Sequence, residues 1–265
     1  MNRIDLSYKY DDEHCDTAEV WIDGSVDRVA QRFILDTGCA RTSLFYNEFS
    51  AKYPSNGTRE YSSAFGSAVS DSIVVQLIGS GPIEKTDMAI ARTARGGNDK
   101  NLFGMDLLKD SILHFRPAEK ILEILPALSA HVGFKHLFLD SGSIPYIELA
   151  FPDKTAVAVW DTGAGITIVD KGFFKDHRDL FDSGGKTIGT DSAGHTFETE
   201  IYRMKSLKIA GILFPPHRVV PLDLNHLAPK NGRGMDFILG YSTLMLANWL
   251  MDFPNKKWAL TETLF

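Results

Sequence analysis

The chain is 265 residues long with a formal net charge of −6, and it is 44% hydrophobic and 23% charged. At roughly 100 to 200 residues per domain this suits one large globular domain or two similar lobes, and the acidic balance argues against a phosphate backbone as the main partner. Two cysteines, Cys15 and Cys39, exclude a disulfide framework, and no apolar run reaches the roughly 18 residues of a membrane helix.

Residues 1–17, MNRIDLSYKYDDEHCDT, are charged and lack the apolar stretch of a secretory signal. They read as a mobile tail, and together with the sparse cysteines they predict a cytoplasmic protein with no membrane attachment. A first strand, AEVWIDGS at 18–25, turns through glycine into the apolar run RVAQRFIL, which leads directly into Asp36-Thr37-Gly38-Cys39. A glycine-bearing hairpin follows at 61–79. Next come Leu102-Phe103-Gly104, a short helix over MDLLKD and the hairpin SILHFRPAEKILEIL. Residues 126–142 form a connector.

From there the script repeats. The stretch SIPYIELAFPDK at 143–154 turns through Pro-Asp into TAVAVW, which leads into Asp161-Thr162-Gly163-Ala164. A second glycine-bearing hairpin covers 186–204, and Ile238-Leu239-Gly240 precedes a short helix over YSTLMLAN and the hairpin NWLMDFPNKKWALTE. The two aspartates lie roughly half the chain apart, so the pattern predicts an internal duplication: a tail 1–17, lobes 18–125 and 143–265, and a connector 126–142 between them. Mainly β structure with a few short helices and a cleft between lobes is expected. Gly38 and Gly163 are expected where the strand turns sharply, at positive φ.

These paired motifs, Asp36-Thr37-Gly38-Cys39 and Asp161-Thr162-Gly163-Ala164 with the apolar-apolar-glycine triplets ending at Gly104 and Gly240, resemble the aspartic proteases, and the retropepsin-like (retroviral-type) branch more than pepsin. The resemblance implies an all-β fold of two pseudo-twofold-related β-barrel lobes with a central substrate cleft, in a single-chain monomer with internal pseudo-symmetry. It implies an aspartic endopeptidase in which Asp36 and Asp161 share a proton and activate water against a peptide bond, with a peptide or protein as substrate and neither metal nor cofactor. Thr37 and Thr162 would tie the loops together, supported by Gly38 and Gly163, and hairpins carrying Phe65, Gly66, Gly189 and Gly194 would act as flaps. Where pepsin-like enzymes place a hydroxyl after the motif, this chain has Cys39 and Ala164, which predicts raised carboxyl pKa values and activity at mildly acidic pH. A stand-alone form of this size looks more bacterial than viral.

The competing readings are a protease-like module that binds peptides or partners without turnover, and an enzyme that cleaves itself, with the tail as its target. Turn or cap aspartates are the bland account of either motif alone; duplication in matched surroundings weighs against it. SGGKT at 183–187 lacks the earlier glycine of a phosphate-binding loop, the histidines lack the spacing of a zinc site, and the single Arg-Gly-Gly at 95–97 sits in an acidic chain. Cys39 reads as a small packed side chain, with disturbance of the aspartates on oxidation as the sharper alternative.

Overall fold

The computed structural model describes residues 2–12, 14–63, 66–95, 99–128, 133–151, 154–190, 196–227 and 234–265. Its regular structure is overwhelmingly strand, with only short helices such as Met105–Leu108 and Tyr241–Leu244. Alternation explains much of this. In Ala18–Val26 the residues Ala18, Val20, Ile22 and Val26 are buried while Glu19, Trp21 and Asp23 are not, the period that gives a sheet one dry face. Before each aspartate the alternation stops: Phe33, Ile34 and Leu35 are all buried, as are Ala158, Val159 and Trp160. These strand ends are covered on both faces.

Each run is gripped by a parallel neighbour. Phe33, Ile34 and Leu35 pair with Asn101, Leu102 and Phe103, and Ala158, Val159 and Trp160 pair with Phe237, Ile238 and Leu239. A short third strand crosses each pair, with Ser43 opposite Leu102 in one half and Ile168 opposite Ile238 in the other. The duplication seen in the sequence is therefore present as a repeated local arrangement around each aspartate.

The wider architecture departs from two closed, pseudo-symmetric barrels. A thirteen-stranded sheet runs from Lys135–His136 through Lys257–Thr263, Ala247–Asp252, Ile112–Arg116, Ile121–Leu125 and Arg3–Tyr10 into the first half. It ends at Thr58–Ser63, and folds back on itself only where Ser25 and Val26 meet Gly79 and Ile78. The other sheet has ten strands, nine along an open path from Phe181–Thr190 to Ile212–Phe214 and one, Phe138–Leu139, beside Pro145–Phe151. The expected pair of retropepsin-like barrel lobes is thus corrected to a strand-rich fold of two sheets, neither of which is a closed barrel as a whole. The physical reason is that the last hairpin of the chain leaves its own half. Trp249, Leu250, Met251 and Asp252 pair with Phe115, His114, Leu113 and Ile112, so one sheet takes strands from both halves.

Two further expectations change. Residues 1–17 are not simply a tail, because Arg3–Tyr10 pairs with Ile121–Leu125 on one side and Ala18–Val26 on the other; Ile4 and Leu6 face the core, which the charged composition masked. A cleavage target in this segment is correspondingly disfavoured. The first hairpin turns at Asp27-Arg28, both at positive φ, and not at Gly24. Gly24 lies within the strand, where a Cβ would come 2.6 Å from the Gly79 carbonyl oxygen. The connector contributes Lys135–His136 to one sheet and Phe138–Leu139 to the other.

One main core spans both halves. Across the junction Phe115 meets Trp160 edge-on at 5.9 Å, Trp160 meets Trp249 at 6.3 Å, and Trp249 stacks on Trp258 at 5.9 Å. Trp160 and Trp249 are fully buried, and aromatic residues of this size dominate core energetics. A fragment 1–128 should therefore fail to fold alone, since it loses the strand beside Ile112–Arg116 and the covering indoles. The expected result is a collapsed amide spectrum and aggregation; a dispersed spectrum from soluble monomeric fragment would show the halves to be separable.

Candidate functional site

Each aspartate begins where its strand stops. The Asp36 N–H donates to the Phe103 carbonyl at 3.0 Å, and the Asp161 N–H to the Leu239 carbonyl at 3.1 Å, so the neighbouring strand carries the ladder up to the aspartate itself. The loops that follow are clamped from behind: the Met105 N–H donates to the Cys39 carbonyl and the Tyr241 N–H to the Ala164 carbonyl, both at 2.8 Å. Gly104 and Gly240 permit that approach. A Cβ on Gly104 would lie 2.7 Å from the Arg41 carbonyl carbon, and one on Gly240 would lie 2.4 Å from the Ile166 carbonyl oxygen.

Thr37 and Thr162 join the two loops reciprocally. The Thr37 hydroxyl donates to the Trp160 carbonyl at 2.7 Å and the Thr162 hydroxyl to the Leu35 carbonyl at 2.7 Å. In return the Thr37 N–H donates to Thr162 Oγ1 at 3.2 Å, and the Thr162 N–H to Thr37 Oγ1 at 3.1 Å. Both threonines are buried. Each hydroxyl gives one hydrogen bond and receives one, so two backbone amides and two carbonyls from opposite halves are satisfied without water.

This arrangement sets Asp36 against Asp161. Asp161 Oδ1 accepts from the Gly38 N–H across the junction at 3.1 Å and from its own loop's Gly163 N–H at 2.8 Å. A Cβ on Gly38 would lie 2.3 Å from Asp161 Oδ2, and one on Gly163 would lie 2.5 Å from Asp36 Cγ. The expectation of positive φ at these glycines is therefore corrected. Neither lies in the left-handed region; each is glycine because the opposite carboxyl group occupies the space of a side chain.

The two carboxyl groups are coupled and unequal. Burial pushes Asp36 well above the ordinary carboxylate range, and the charge of Asp161 pushes it further, against the pull of the Gly38 and Cys39 amides. Burial also raises Asp161, but the amides of Gly163, Gly38 and Ala164 and the hydrogen bond from Asp36 oppose it. Both carboxyls are thus held toward the protonated form, Asp36 the more strongly, and the pair titrates as a unit. Burial is the leading cause of both shifts, ahead of the missing hydroxyl donors that the sequence suggested. Asp36 is 8% exposed, and Asp161, Gly38, Gly163 and Ala164 are partly exposed, so the pair is reachable from solvent.

Ala164 and Ile166 of the Asp161 loop pack with Ile144 and Phe138 against a second apolar cluster, and Gly142 of the connector lies beside Ala40, where a Cβ would come 2.9 Å from the alanine methyl. The Cys39 thiol donates to the Arg41 carbonyl at 3.1 Å. Burial, then the Asp36 charge, pushes this thiol up, leaving little thiolate for oxidation. Of the expected flap residues, Phe65 and Gly194 lie outside the described residues. Gly66 pairs with Ser63 at the end of one hairpin, and Gly189 pairs with Phe197 on another. Among the described residues no group of three or more His, Cys, Asp and Glu could hold a metal ion.

Sequence reasoning missed the supports behind the loops. Thr42 N–H and hydroxyl both donate to Asp106, the hydroxyl at 2.7 Å, while Thr167 N–H donates to Ser242 Oγ at 3.0 Å. Thr42 and Thr167 occupy equivalent places after their aspartates, and Asp106 and Ser242 equivalent places after their glycines. Aligning the halves beyond the motifs is the signal that would have found them.

No family model matches the chain, and no curated protein matches it. The resemblance to retropepsin-like proteases is confined to the loops: it extends neither to a recognised family nor to paired closed barrels. The expected aspartic endopeptidase rested on that membership and loses its footing with it, as does the protease-like label of the non-catalytic alternative. Nothing in these comparisons ties the chain to a bacterial source. Among the described residues no helix is long and apolar enough to cross a membrane.

The raised carboxyls have a cost in stability that depends on pH. A carboxyl whose folded pKa lies above its unfolded value contributes stability below the unfolded pKa, and that contribution is lost as pH rises through the folded pKa. Asp36→Asn keeps a donor toward Asp161 but removes one ionisation. It should be more stable than the parent near pH 7, with the difference vanishing below about pH 4, where both carboxyls are protonated folded or unfolded. Urea unfolding at both pH values checks this; a variant destabilised equally at each would contradict it.

Proposed function

We propose that Asp36 and Asp161 form an acid–base binding site in which one proton is shared, and that its ligand presents a neutral group able to donate and accept at once, a hydroxyl. The observation that carries this reading is the unequal environment of two adjoining carboxyls: Asp161 Oδ1 receives the amides of both loops, while burial and the Asp161 charge favour protonation of Asp36. A protonated carboxyl donates, its ionised neighbour accepts, and a hydroxyl between them is matched on both sides.

Ala164, in the loop of Asp161, packs with Ile166 and Ile144 against the second apolar cluster, which favours a ligand with apolar groups flanking the polar one. A peptide carrying a hydroxyl between apolar side chains has this chemistry. Both carboxyls come from one chain, which supports a monomer whose site is complete without a partner. Free cysteines at Cys15, exposed, and Cys39 support residence in a reducing compartment such as the cytoplasm.

The test is calorimetry with short peptides bearing a central secondary hydroxyl between apolar side chains, at pH 4 to 7 and in buffers of different ionisation enthalpy. The expected result is binding that weakens as the pair loses its shared proton, and a loss of about tenfold or more in Asp36→Ala and Asp161→Asn, the scale of one charge-assisted hydrogen bond. Binding unchanged in both variants would overturn the reading.

A further inference from the structure

The loop of Asp161 is anchored through a relay that ends differently from its counterpart in the other half. In the first half the Gly104 N–H donates to Thr42 Oγ1 at 3.0 Å, and the Thr42 hydroxyl ends the relay in the Asp106 carboxyl group at 2.7 Å. In the second half the Gly240 N–H donates to Thr167 Oγ1 at 3.1 Å, Thr167 Oγ1 lies 2.6 Å from Thr243 Oγ1, and Thr243 Oγ1 lies 2.8 Å from Nε2 of His217. His217 Nδ1 lies 2.9 Å from the Pro215 carbonyl.

The direction of every bond follows from the far end. A carbonyl only accepts, so His217 carries its hydrogen on Nδ1 and presents a bare Nε2. The Thr243 hydroxyl then donates to Nε2, the Thr167 hydroxyl donates to Thr243, and Thr167 Oγ1 is left to accept the Gly240 amide. If a proton were added at Nε2, the imidazole would donate at both nitrogens and Thr243 would have to turn its hydrogen toward Thr167. Thr167 Oγ1 would then accept from both Gly240 N–H and Thr243, and its own hydrogen would be left without the acceptor that now orients the hydroxyl.

We propose that His217 is a positioning residue for the proposed acid–base site, acting in its neutral form through Thr243 and Thr167 to fix Gly240 and, through it, the Asp161 loop. The step from Gly240 to the loop is short: the Tyr241 N–H donates to the Ala164 carbonyl at 2.8 Å, and a Cβ on Gly240 would be 2.6 Å from that oxygen. The Ala164 amide is one of those that hold the Asp161 charge.

The surroundings of His217 favour the neutral ring. The side chain is 8% exposed, and its cross-strand neighbour is Met204. Burial holds it below the ordinary imidazole range, against the Pro215 carbonyl. The adjoining cation, Arg218, is engaged with Asp16, its Nε donating to Asp16 Oδ2 at 2.8 Å, and with the Thr17 hydroxyl. Across from Arg218 on the neighbouring strand lies Arg203. Helix Tyr241–Leu244 presents Thr243 to the ring, with Ser242 turned to the Arg218 carbonyl.

This inference rests on the acid–base reading, and its test separates the two. In His217→Phe the acceptor is gone; in His217→Gln an amide oxygen can still accept from Thr243 but cannot titrate. Protection of the Gly240 amide against hydrogen exchange and the upper titration step of the carboxyl pair, followed by carbon NMR, are measured in both. The expected result is protection lost about tenfold and a shifted upper step in His217→Phe, with both restored in His217→Gln. As pH falls below the imidazole range, protection at Gly240 should also drop in the parent and not in His217→Gln, which keeps the test decisive if the phenylalanine variant does not fold. Unchanged protection and an unchanged upper step in a folded His217→Phe, or parallel behaviour of the parent and His217→Gln across that pH range, would overturn the role of His217. Independent titration of Asp36 and Asp161 in the parent would instead sink the acid–base reading, while leaving a dependence of Gly240 protection on His217 intact.

Discussion

The reciprocal hydrogen bonds between Thr37 and Thr162 are the constraint on which the rest of the structure depends. They are made in the interior, where an amide or carbonyl without a partner costs about 1–3 kcal/mol, and they join four backbone groups from opposite halves. The halves therefore meet in one register, and that register sets two carboxyl groups against the backbone of the facing loops. Gly38 and Gly163 follow from it, because the space beside each is filled by the other half's aspartate.

From that junction the molecule is less symmetric than its loops. The terminal hairpin Ala247–Asp252 and Lys257–Thr263 crosses into the first half's sheet and brings Trp249 onto Trp160, so the covering core is shared. Behind the loops, one relay ends in an acidic side chain and the other in an imidazole. At the front, Asp161 Oδ1 accepts the Gly38 and Gly163 amides, while burial and the Asp161 charge favour protonation of Asp36. Equal sequence motifs thus lie in unequal environments, and the difference in environment divides the roles of acid and base between two identical groups.

What could be read from the sequence follows from what is local. The strands into Asp36 and Asp161, the short helices after Gly104 and Gly240, and the hairpins after them are each fixed by runs of apolar residues and turn signals within ten or so positions. The juxtaposition of Asp36 and Asp161 was suggested by repetition. The open sheets were not legible, because the pairing of Trp249 with Phe115 joins residues far apart in the chain and leaves no periodic trace. Arg3–Tyr10 was read as a tail because its core-facing positions, Ile4 and Leu6, are isolated among charges. His217 carried no signal at all: its role comes from the company of Thr243 and Thr167, which only the fold assembles. Family membership inferred from the loops did not survive comparison with known proteins, since a short motif specifies a turn and a carboxyl pair but not the sheets around it.

The most direct test of the account is a carbon-NMR titration of Asp36 and Asp161 in the intact protein, with assignments from Asp36→Asn and Asp161→Asn. Two well-separated steps are predicted, the upper one felt by both carboxyl carbons and lost in either variant. Two independent curves, each close to the midpoint of an ordinary solvent-facing aspartate near pH 4, would contradict it.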